Sequence, residues 1–413
     1  MNLKEMNHWW EIKQIRKEFV PETKRRLFEI LKKDLKRRQI QIIIGLRRTG
    51  KSVLLYQLID YLIKQNTDPL KILYCNFDEP ELRKLRIHEI LKTYSGLTKV
   101  DYKKERIFFF IDEAQKSENW VSDIKLIYDH FPKIKIIVSG SASLKLLADA
   151  KRTLAGRAFY YELKPLSFKE YLSLKGIEID EKRYLLYEDK LKKEFSNFIY
   201  RPFPELVKEK SFAHIRRYIR ESVIEPIILK DIPKEFTDVD LLLIERLIEI
   251  FLSEPGQYLV IDELAKELHR AKKTIYQTLF YLEFSYLIKK ILNYRPKIRI
   301  ASRKLARIWP YHPALTIPFN IQPERYAENL VIAELDAKYY WRQNGKEIDA
   351  LKDLTPIEVK FKSKIKKDDI RTLLYFMKKF KVRKGALITK DFKGKIDNIS
   401  CIPLWEFCFK QQI

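Results

Sequence analysis

The stretch IIIGLRRTGKSVLLYQLI, residues 42–59, decides the fold of this chain. An apolar run stops at Gly45, two arginines follow, and Gly50, Lys51 and Ser52 open a second apolar run. The spacing is G-x-x-x-x-G-K-[ST], the phosphate-binding loop (P-loop) that joins a buried strand to a helix. Glycine lets the loop curl so that its N–H groups point at a polyphosphate, and the start of the helix adds partial positive charge. The stretch therefore predicts a nucleotide site.

The same loop indicates a role for individual residues. Lys51 can reach the β- and γ-phosphates, and the Ser52 hydroxyl suits Mg²⁺, so ATP and Mg²⁺ are the expected cofactors. The pair Arg47 and Arg48 could add charge near the triphosphate or pair with acids of the sheet, and the sequence does not decide between these roles. The nucleotide-binding residues predicted in the loop are Gly45, Arg48, Thr49, Gly50, Lys51, Ser52 and Val53.

Length and charge limit the class of protein. The chain has 413 residues, with 82 Lys and Arg against 56 Asp and Glu, a net charge of +26. This length predicts about two to four domains, and the excess of positive charge favours a polyanionic partner, either nucleic acid or an anionic membrane surface. The membrane is disfavoured because the basic residues are spread over segments that look folded.

The chain has no apolar run long enough to span a bilayer. Its N-terminal residues 1–19 lack a signal-peptide core and predict an amphipathic helix. The 3 cysteines and 6 histidines are too few and too scattered for a disulfide framework or a zinc site. We therefore expect a reducing, cytoplasmic setting.

After the loop, apolar strands alternate with helices, which predicts a parallel sheet covered on both faces. The strand RIFFFIDEAQ ends in Asp112 and Glu113, at the sheet edge where a ligand binds. Asp112 would bind nucleotide through the Mg²⁺ shell, and Glu113 would orient or deprotonate the attacking water. The strand KIKIIVSGSAS ends in Ser139 and Ser141, which either sense the γ-phosphate or cap the following turn.

Four segments in order, GLRRTGKS, FFFIDEAQK, IIVSGSAS and LAGRAFYYELKPLSFKEYL, resemble archaeal and bacterial AAA-type ATPases that carry a C-terminal domain of unknown function. The resemblance covers residues 38–172, and it implies that paired arginines in the P-loop are a recurring feature of the family. It also implies that Arg157 senses the triphosphate in its own subunit or in a neighbour; a structural salt bridge is the alternative. The family's Gly-Gly-Phe-Pro-Glu segment is YRPFPEL here, residues 200–206. A homo-oligomeric ring of the AAA type is expected by analogy.

Residues 236–300 resemble a winged helix-turn-helix. Arg270, Lys272 and Lys273 stand at the start of its second helix, where contacts with DNA phosphates and bases would fall. The same shape also serves as a domain-packing module in many ATPases.

The last hundred residues follow a different pattern, with three short strands joined by tight turns. Asp349, Glu358 and Lys360 would converge at a strand bend, because Glu358 and Lys360 alternate onto one face. Two carboxylates that hold a metal ion and a lysine beside them are what Mg²⁺-assisted phosphodiester cleavage needs. The pattern resembles the PD-(D/E)XK nuclease fold, with Glu328 as its helical acid. A retained scaffold that only grips DNA is the alternative.

The predicted fold class is α/β: a P-loop NTPase parallel sheet with a helical lid, a winged helix and a C-terminal restriction-endonuclease-like α/β domain. We expect a Mg²⁺-dependent ATPase that acts on or at DNA; the alternative is a regulatory NTPase whose ATP state switches assembly. The predicted catalytic residues are Glu113, Lys51, Arg157 and Ser139. The predicted divisions are 1–36 (N-terminal helical segment), 37–165 (ATPase core), 166–235 (lid or connector), 236–300 (winged helix) and 301–413 (nuclease-like domain).

Overall fold

A computed structural model describes residues 3–140, 150–296 and 305–411. The predicted sensor Ser141 lies outside the described residues. The chain divides into two compact units, Met1–Pro165 and Leu166–Ile413. No helix of the described ranges is long and apolar enough to cross a bilayer.

The first unit is built on five parallel strands, in the order β2-β3-β4-β1-β5. Strands β1 to β4 are almost wholly buried because isoleucine, valine and phenylalanine fill both of their faces. Strand β4 lies between β1 and β3, so the residue that ends β4 stands between the P-loop and the end of β3. The strands are β1 (Ile40–Ile44), β2 (Ile72–Asn76), β3 (Ile107–Asp112), β4 (Ile134–Ser139) and β5 (Ala158–Glu162).

Helices cover this sheet. They are α1 (Leu3–Met6), α2 (Trp9–Ile12), α3 (Arg26–Asp34), α4 (Lys51–Lys64), α5 (Pro80–Arg83), α6 (Ile87–Thr98), α7 (Trp120–His130) and α8 (Ala150–Thr153). The single N-terminal amphipathic helix predicted from residues 1–19 is replaced by two short helices and a 3-10 turn at Lys17–Phe19. The indoles of Trp9 and Trp10 both donate to the Ile72 carbonyl, at 3.1 and 2.9 Å. These hydrogen bonds attach the segment to the edge strand β2. They stabilise this conformation more than a single longer helix would.

Nine of the described strands of the second unit form one mixed sheet, in the order β13-β14-β12-β11-β10-β9-β7-β8-β6. Strand β7 pairs antiparallel with β8 and parallel with β9. The predicted boundary at residue 300 therefore falls inside a continuous sheet. The strands are β6 (Gln257–Tyr258), β7 (Ile288–Asn293), β8 (Arg307–Pro310), β9 (Tyr339–Gln343), β10 (Lys346–Lys352), β11 (Thr355–Lys360), β12 (Gly385–Thr389), β13 (Gly394–Ile396) and β14 (Ile399–Pro403).

The helices of the second unit are α9 (Phe168–Leu174), α10 (Glu188–Phe198), α11 (Phe212–Tyr218), α12 (Ile232–Glu235), α13 (Leu241–Ser253), α14 (Ile261–Glu267), α15 (Lys272–Phe284), α16 (Pro323–Leu335), α17 (Lys367–Phe380) and α18 (Leu404–Lys410). Two π-helical turns, at Ile219–Ile224 and Ile227–Asp231, connect α11 to α12.

The predicted α/β fold class is confirmed by the five-stranded parallel sheet and by the further sheet in the C-terminal part. In that second sheet, helices α16 and α18 pack with Ile357 and Val359 of β11 in one core cluster. Helix α17 packs in a separate cluster with Ile348 and Leu387. Because side chains alternate along a strand, Glu358 and Lys360 point away from the first cluster.

Candidate functional site

The predicted P-loop has the backbone of an anion cradle. A Cβ atom on Gly45 would stand 2.3 Å from the Leu163 carbonyl oxygen, so only glycine fits where β1 leaves the sheet. Gly50 has a φ of 93°, in the left-handed region, and it caps the 14-residue helix α4 that begins at Lys51. The loop therefore aims the amino end of α4 into its own concave side.

Hydrogen bonds from within the P-loop and from Arg25 outside it hold the loop in this conformation. The buried Lys51 ammonium donates to the carbonyls of Gly45 and Leu46, at 3.1 and 2.9 Å. The buried Thr49 hydroxyl donates to the same Leu46 carbonyl at 2.9 Å. Arg25, which precedes the predicted ATPase core, donates to the Thr49 carbonyl at 2.8 Å and to the Lys164 carbonyl at 2.7 Å. Sequence reasoning missed Arg25, because its partners are backbone atoms distant in the chain.

Asp112 and Ser139 meet at the carboxyl edge of the sheet. Asp112 is fully buried, and its Oδ1 accepts hydrogen bonds from the Ser139 hydroxyl and, at 3.1 Å, from the Glu113 N–H. Its Oδ2 accepts from the Tyr74 hydroxyl at 3.0 Å. Tyr74 is a residue that sequence reasoning missed; the available signal was a polar-ended side chain in the middle of the mainly apolar strand β2.

Glu113 lies within electrostatic reach of the P-loop residues Lys51 and Arg47. Its φ of 51° lies in the left-handed region, a conformation that costs on the order of 1–3 kcal/mol for residues other than glycine and that concentrates at functional sites. Burial raises the pKa of Glu113, and the nearby charges of Lys51 and Arg47 act in the opposite direction. The Gln115 amide donates to its Oε2 at 2.7 Å, which orients the carboxylate.

The structure separates the two loop arginines. Arg47 is half-buried and its charge acts on Glu113, so it adds positive charge on the loop side of that carboxylate. Arg48 is exposed and has a φ of 64°. The two arginines thus differ in exposure and in backbone conformation.

Arg157 lies at the amino ends of the strands, opposite the carboxyl ends where Asp112 and Ser139 meet. Its carbonyl accepts from the Ile40 N–H at 2.8 Å, which places it beside the amino end of β1. The P-loop starts at the carboxyl end of that strand, roughly 15 Å away along five residues. The Arg157 guanidinium pairs with Asp129 at 2.8 Å. Arg157 is therefore too far from the P-loop of its own subunit to sense the triphosphate there. A role for Arg157 at the triphosphate of a neighbouring subunit stays a prediction.

These residues fit Mg²⁺ and a nucleoside triphosphate. The concave loop supplies N–H groups and the Lys51 ammonium. The Ser52 hydroxyl stands in the first turn of α4, and Asp112 supplies a buried carboxylate held by two side-chain hydroxyls. Phosphate oxygens and a hard divalent cation are the ligands that such donors bind.

A second set of polar residues meets in the C-terminal sheet. The register of β10 against β9 shifts between Ile348 and Leu351, and Asp349 lies within this irregularity, which re-aims its side chain. Asp349 Oδ2 accepts from the Val359 N–H at 2.9 Å, so the carboxylate reaches across to β11. The Lys360 ammonium lies 2.7 Å from Glu358 Oε1. The structure thus brings together Asp349, Glu358 and Lys360, as the sequence predicted.

Glu328 approaches the same cluster from α16, but cations of the chain surround it. Arg325 donates to Glu328 Oε2 at 2.9 Å, and Arg307 Nη2 lies 3.7 Å from the same oxygen. Arg307 Nη1 lies 3.7 Å from Asp349 Oδ1 and 2.7 Å from Glu347 Oε1. Sequence reasoning missed Arg307, because it lies earlier in the chain, in a different strand from Asp349 and Glu358, and belongs to no recognised motif.

Burial and mutual repulsion shift the titration of these carboxyls. Burial, followed by the charge of Asp349, raises the pKa of Glu358 to about 8. The same two causes raise the pKa of Glu328 to about 7. Burial also raises the pKa of Asp349, against the charge of Arg307. Among the residues that the structure describes, no three His, Cys, Asp or Glu side chains are placed to share a metal ion.

The basic residues predicted to contact DNA stand at the start of α15, and two of them pair with carboxylates. Arg270 lies 2.7 Å from Asp240 Oδ2, and Lys272 contacts Asp262. Lys273 is exposed. The helices α14 and α15 and the hairpin β7–β8 follow one another as a winged helix-turn-helix would, and DNA contact stays a prediction.

Comparison with known families supports a nucleotide site at the P-loop. Residues 37–172 match the family described as AAA domain. The P-loop, the five-stranded parallel sheet and this match define the segment as an AAA-type P-loop domain, a nucleotide-binding class. Residues 198–308 match a domain of unknown function (DUF8612), which names no activity for that part.

Relatives extend over much of the chain. Two uncharacterized proteins of Methanocaldococcus jannaschii are 28% identical over 321 residues (70% of this chain, 65% of that protein) and 24% identical over 327 residues (76% and 72%). An uncharacterized protein of Haemophilus influenzae is 28% identical over 260 residues, 62% of each chain. The chain thus spans slightly less than two thirds of the length of the first and third of these relatives.

Solved structures similar to this chain include the Aeropyrum pernix ORC1 protein in complex with DNA, which is 13% identical, with a TM-score of 0.33 over 75% of this chain and 93% of that chain. Another is AMPPCP-bound DnaA from Aquifex aeolicus, which is 14% identical, with a TM-score of 0.29 over 64% of this chain and 89% of that chain.

Proposed function

We propose that this protein is a Mg²⁺-dependent ATPase that acts on or at DNA. The observation that supports the ATPase part is the arrangement at one sheet edge of a P-loop lysine, a buried aspartate held by Ser139 and Tyr74, and Glu113 within electrostatic reach of the loop. ATP hydrolysis needs these three elements: phosphate binding, metal binding and a base.

The chemistry follows from the residues. When bound, Mg-ATP supplies the γ-phosphoryl group and a cation that neutralises its developing charge. Lys51 and the loop N–H groups would bind the β- and γ-phosphates, and Ser52 and Asp112 would hold the ion. Glu113 would orient a water molecule and accept its proton as the water oxygen bonds to the γ-phosphorus and the bond to ADP breaks. The raised pKa of Glu113 makes it a stronger base for this step.

Two features support action on DNA. The net charge of +26 favours a polyanion, and the C-terminal cluster of Asp349, Glu358 and Lys360 has the composition of a phosphodiester-cleaving site. Exposed lysines follow this cluster along the chain and suit a phosphate track: Lys362, Lys364, Lys366, Lys367, Lys378, Lys379 and Lys381.

The test is ATP hydrolysis by the purified full chain, with and without duplex DNA. We expect DNA to change the rate, and Lys51→Ala to abolish ATP binding and hydrolysis, because it removes the cation in the concave side of the loop. Lys64→Ala, which removes a lysine from the far end of the same helix, should leave both unchanged. Hydrolysis that survives in Lys51→Ala would contradict the proposal.

A regulatory NTPase with an inactive nuclease fold is the second candidate. It is favoured by the ion pairs of Arg325 and Arg307 with Glu328, and of Arg307 with Asp349, which already neutralise carboxylates of the cluster. Incubation of plasmid DNA with the purified chain and Mg²⁺ or Mn²⁺ separates the candidates. Cleavage that Asp349→Ala abolishes supports the nuclease, and ATP hydrolysis without cleavage supports the regulator.

A further inference from the structure

Arg307 is the most enclosed cation of the C-terminal cluster. Its side chain is 4% exposed, and its guanidinium stacks 4.8 Å from the Trp309 ring. Nε donates to the Gly256 carbonyl at 2.8 Å. A Cβ atom on Gly256 would stand 2.7 Å from Arg307 Nη2, so the glycine leaves the space that the guanidinium fills. The chain therefore has a built cradle for this one side chain.

The guanidinium lies between two acids of the predicted nuclease-like site, Glu328 and Asp349. Each of its terminal nitrogens is 3.7 Å from one of them, Nη2 from Glu328 and Nη1 from Asp349. These distances are longer than direct hydrogen bonds but close enough for strong attraction in a buried site. A positive charge in this place repels a divalent cation from the Glu328 side of the cluster.

The other side of the cluster retains a carboxylate oxygen that the described residues do not satisfy. Glu358 is 7% exposed, and its Oε2 is buried with no hydrogen-bond partner in the part of the chain that the structure describes. Its Oε1 pairs with Lys360. A buried unsatisfied carboxylate oxygen is costly unless a donor or a cation binds there. This observation is independent of Arg307 and indicates a donor or a cation bound at Glu358.

We propose that Arg307 is a positioning residue that takes the place of one metal ion, so that the cluster binds a single divalent cation at Asp349 and Glu358. The inference rests on the nuclease-like part of the proposed function and specifies its metal requirement. Two-metal nucleases clamp both the attacking and the leaving oxygen with ions. Here one of these positions is filled by a guanidinium fixed to strand β8.

The experiment counts Mn²⁺ ions on the nucleotide-free full chain by electron paramagnetic resonance, as the difference between wild type and Asp349→Asn. We expect a difference of about one ion per wild-type chain. Arg307→Met, which keeps the stem and removes the charge, should admit a second ion and tighten binding at least about tenfold. Arg325→Met is the matched control: it removes a half-exposed cation from the rim of the cluster and should leave the count unchanged.

A difference of two Mn²⁺ ions between the wild-type chain and Asp349→Asn would overturn the inference, and this result does not depend on whether Arg307→Met folds. The same count and affinity in a folded Arg307→Met variant would also overturn it. If Asp349→Asn removes no ion from the wild type, this inference and the nuclease-like proposal both fail. Loss of ATP hydrolysis in Lys51→Ala would still support the ATPase part in that case.

Discussion

The Tyr74 hydroxyl donates to Asp112 Oδ2 at 3.0 Å, between two side chains that are almost wholly buried. Tyr74 is in turn bonded to the N-terminal segment, because Asn7 accepts from its N–H at 2.6 Å and donates to its carbonyl at 2.8 Å. The carboxylate predicted to hold Mg²⁺ is thus positioned by a residue whose backbone is fixed by a segment outside the ATPase core.

From this relationship we expect Tyr74→Phe to lower kcat for ATP hydrolysis several-fold to tenfold while ATP affinity stays close to wild type. A hydrogen bond to a charged group is worth about 1.5–3 kcal/mol, and here it orients the ion-binding carboxylate. Steady-state rates and fluorescent-nucleotide binding measure the two effects separately. Tyr94→Phe is the control, because it removes a hydroxyl that donates to the Leu70 carbonyl at 2.6 Å. Equal losses in both variants would indicate a general loss of stability.

Glu113→Gln should bind ATP with near wild-type affinity and hydrolyse it about a hundredfold more slowly, or slower still, because the amide keeps the shape but cannot accept a proton. Phosphate release under single-turnover conditions measures the chemical step. The control is Glu118→Gln, an exposed carboxylate in the loop that leads into α7. Parental rates in Glu113→Gln would mean that another group is the base.

Arg157→Ala should leave nucleotide affinity unchanged, because Arg157 lies at the sheet edge opposite the P-loop of its own subunit. If a neighbouring subunit uses it, hydrolysis should fall at least about tenfold, and only at concentrations at which chains associate. Asp129→Asn breaks the same ion pair and keeps the arginine, so it should retain activity. Sedimentation and rate measured over a concentration series test this, and equal loss in both variants would assign the pair a structural role.

The salt dependence of DNA affinity can show which basic residues contact DNA. The slope of log K against log salt becomes shallower by about 0.9 for each phosphate that a variant no longer neutralises. Since Arg270 and Lys272 already pair with acids, alanines at Arg270, Lys272 and Lys273 should change the slope by the equivalent of about one phosphate. Alanines at Lys364, Lys366 and Lys367 should change it by the equivalent of about three phosphates. The opposite ranking in fluorescence anisotropy titrations would place DNA on α15.

Mn²⁺ binding at the C-terminal cluster should tighten as pH rises through about 8, because burial raises the pKa of Glu358 to about 8 and the ion needs the deprotonated carboxylate. We expect the stability of the metal-free fold to follow the reverse trend. The folded-state pKa exceeds the unfolded value, so stability from this group is full below the unfolded pKa and is lost as pH rises toward 8. Melting temperatures from about pH 5 to about pH 9 should therefore decline less in Glu358→Gln than in wild type. Parallel curves would contradict the assignment.

The sequence predicts best what adjacent residues determine. The P-loop, the strand that ends in Asp112 and Glu113, and the strands around Asp349 and Glu358 all follow from local spacing and periodicity. Arg307 and Tyr74 were missed, because each acts through atoms of another element and local spacing does not reveal such contacts. The N-terminal helix was wrong as a single element, since bonds of Trp9 and Trp10 to a strand edge outweigh the local periodicity.

The pairing of β7 with β9 has a practical consequence for dissection of the molecule. A fragment that starts at residue 301 would lack β7, and with it the strand whose Leu292 and Asn293 pair in parallel with β9. Strand β9 would then present a bare row of N–H and C=O groups, a template for intermolecular pairing. Such a fragment should precipitate or form fibrils for reasons unrelated to its chemistry, whereas one that starts before helix α13 keeps this edge covered.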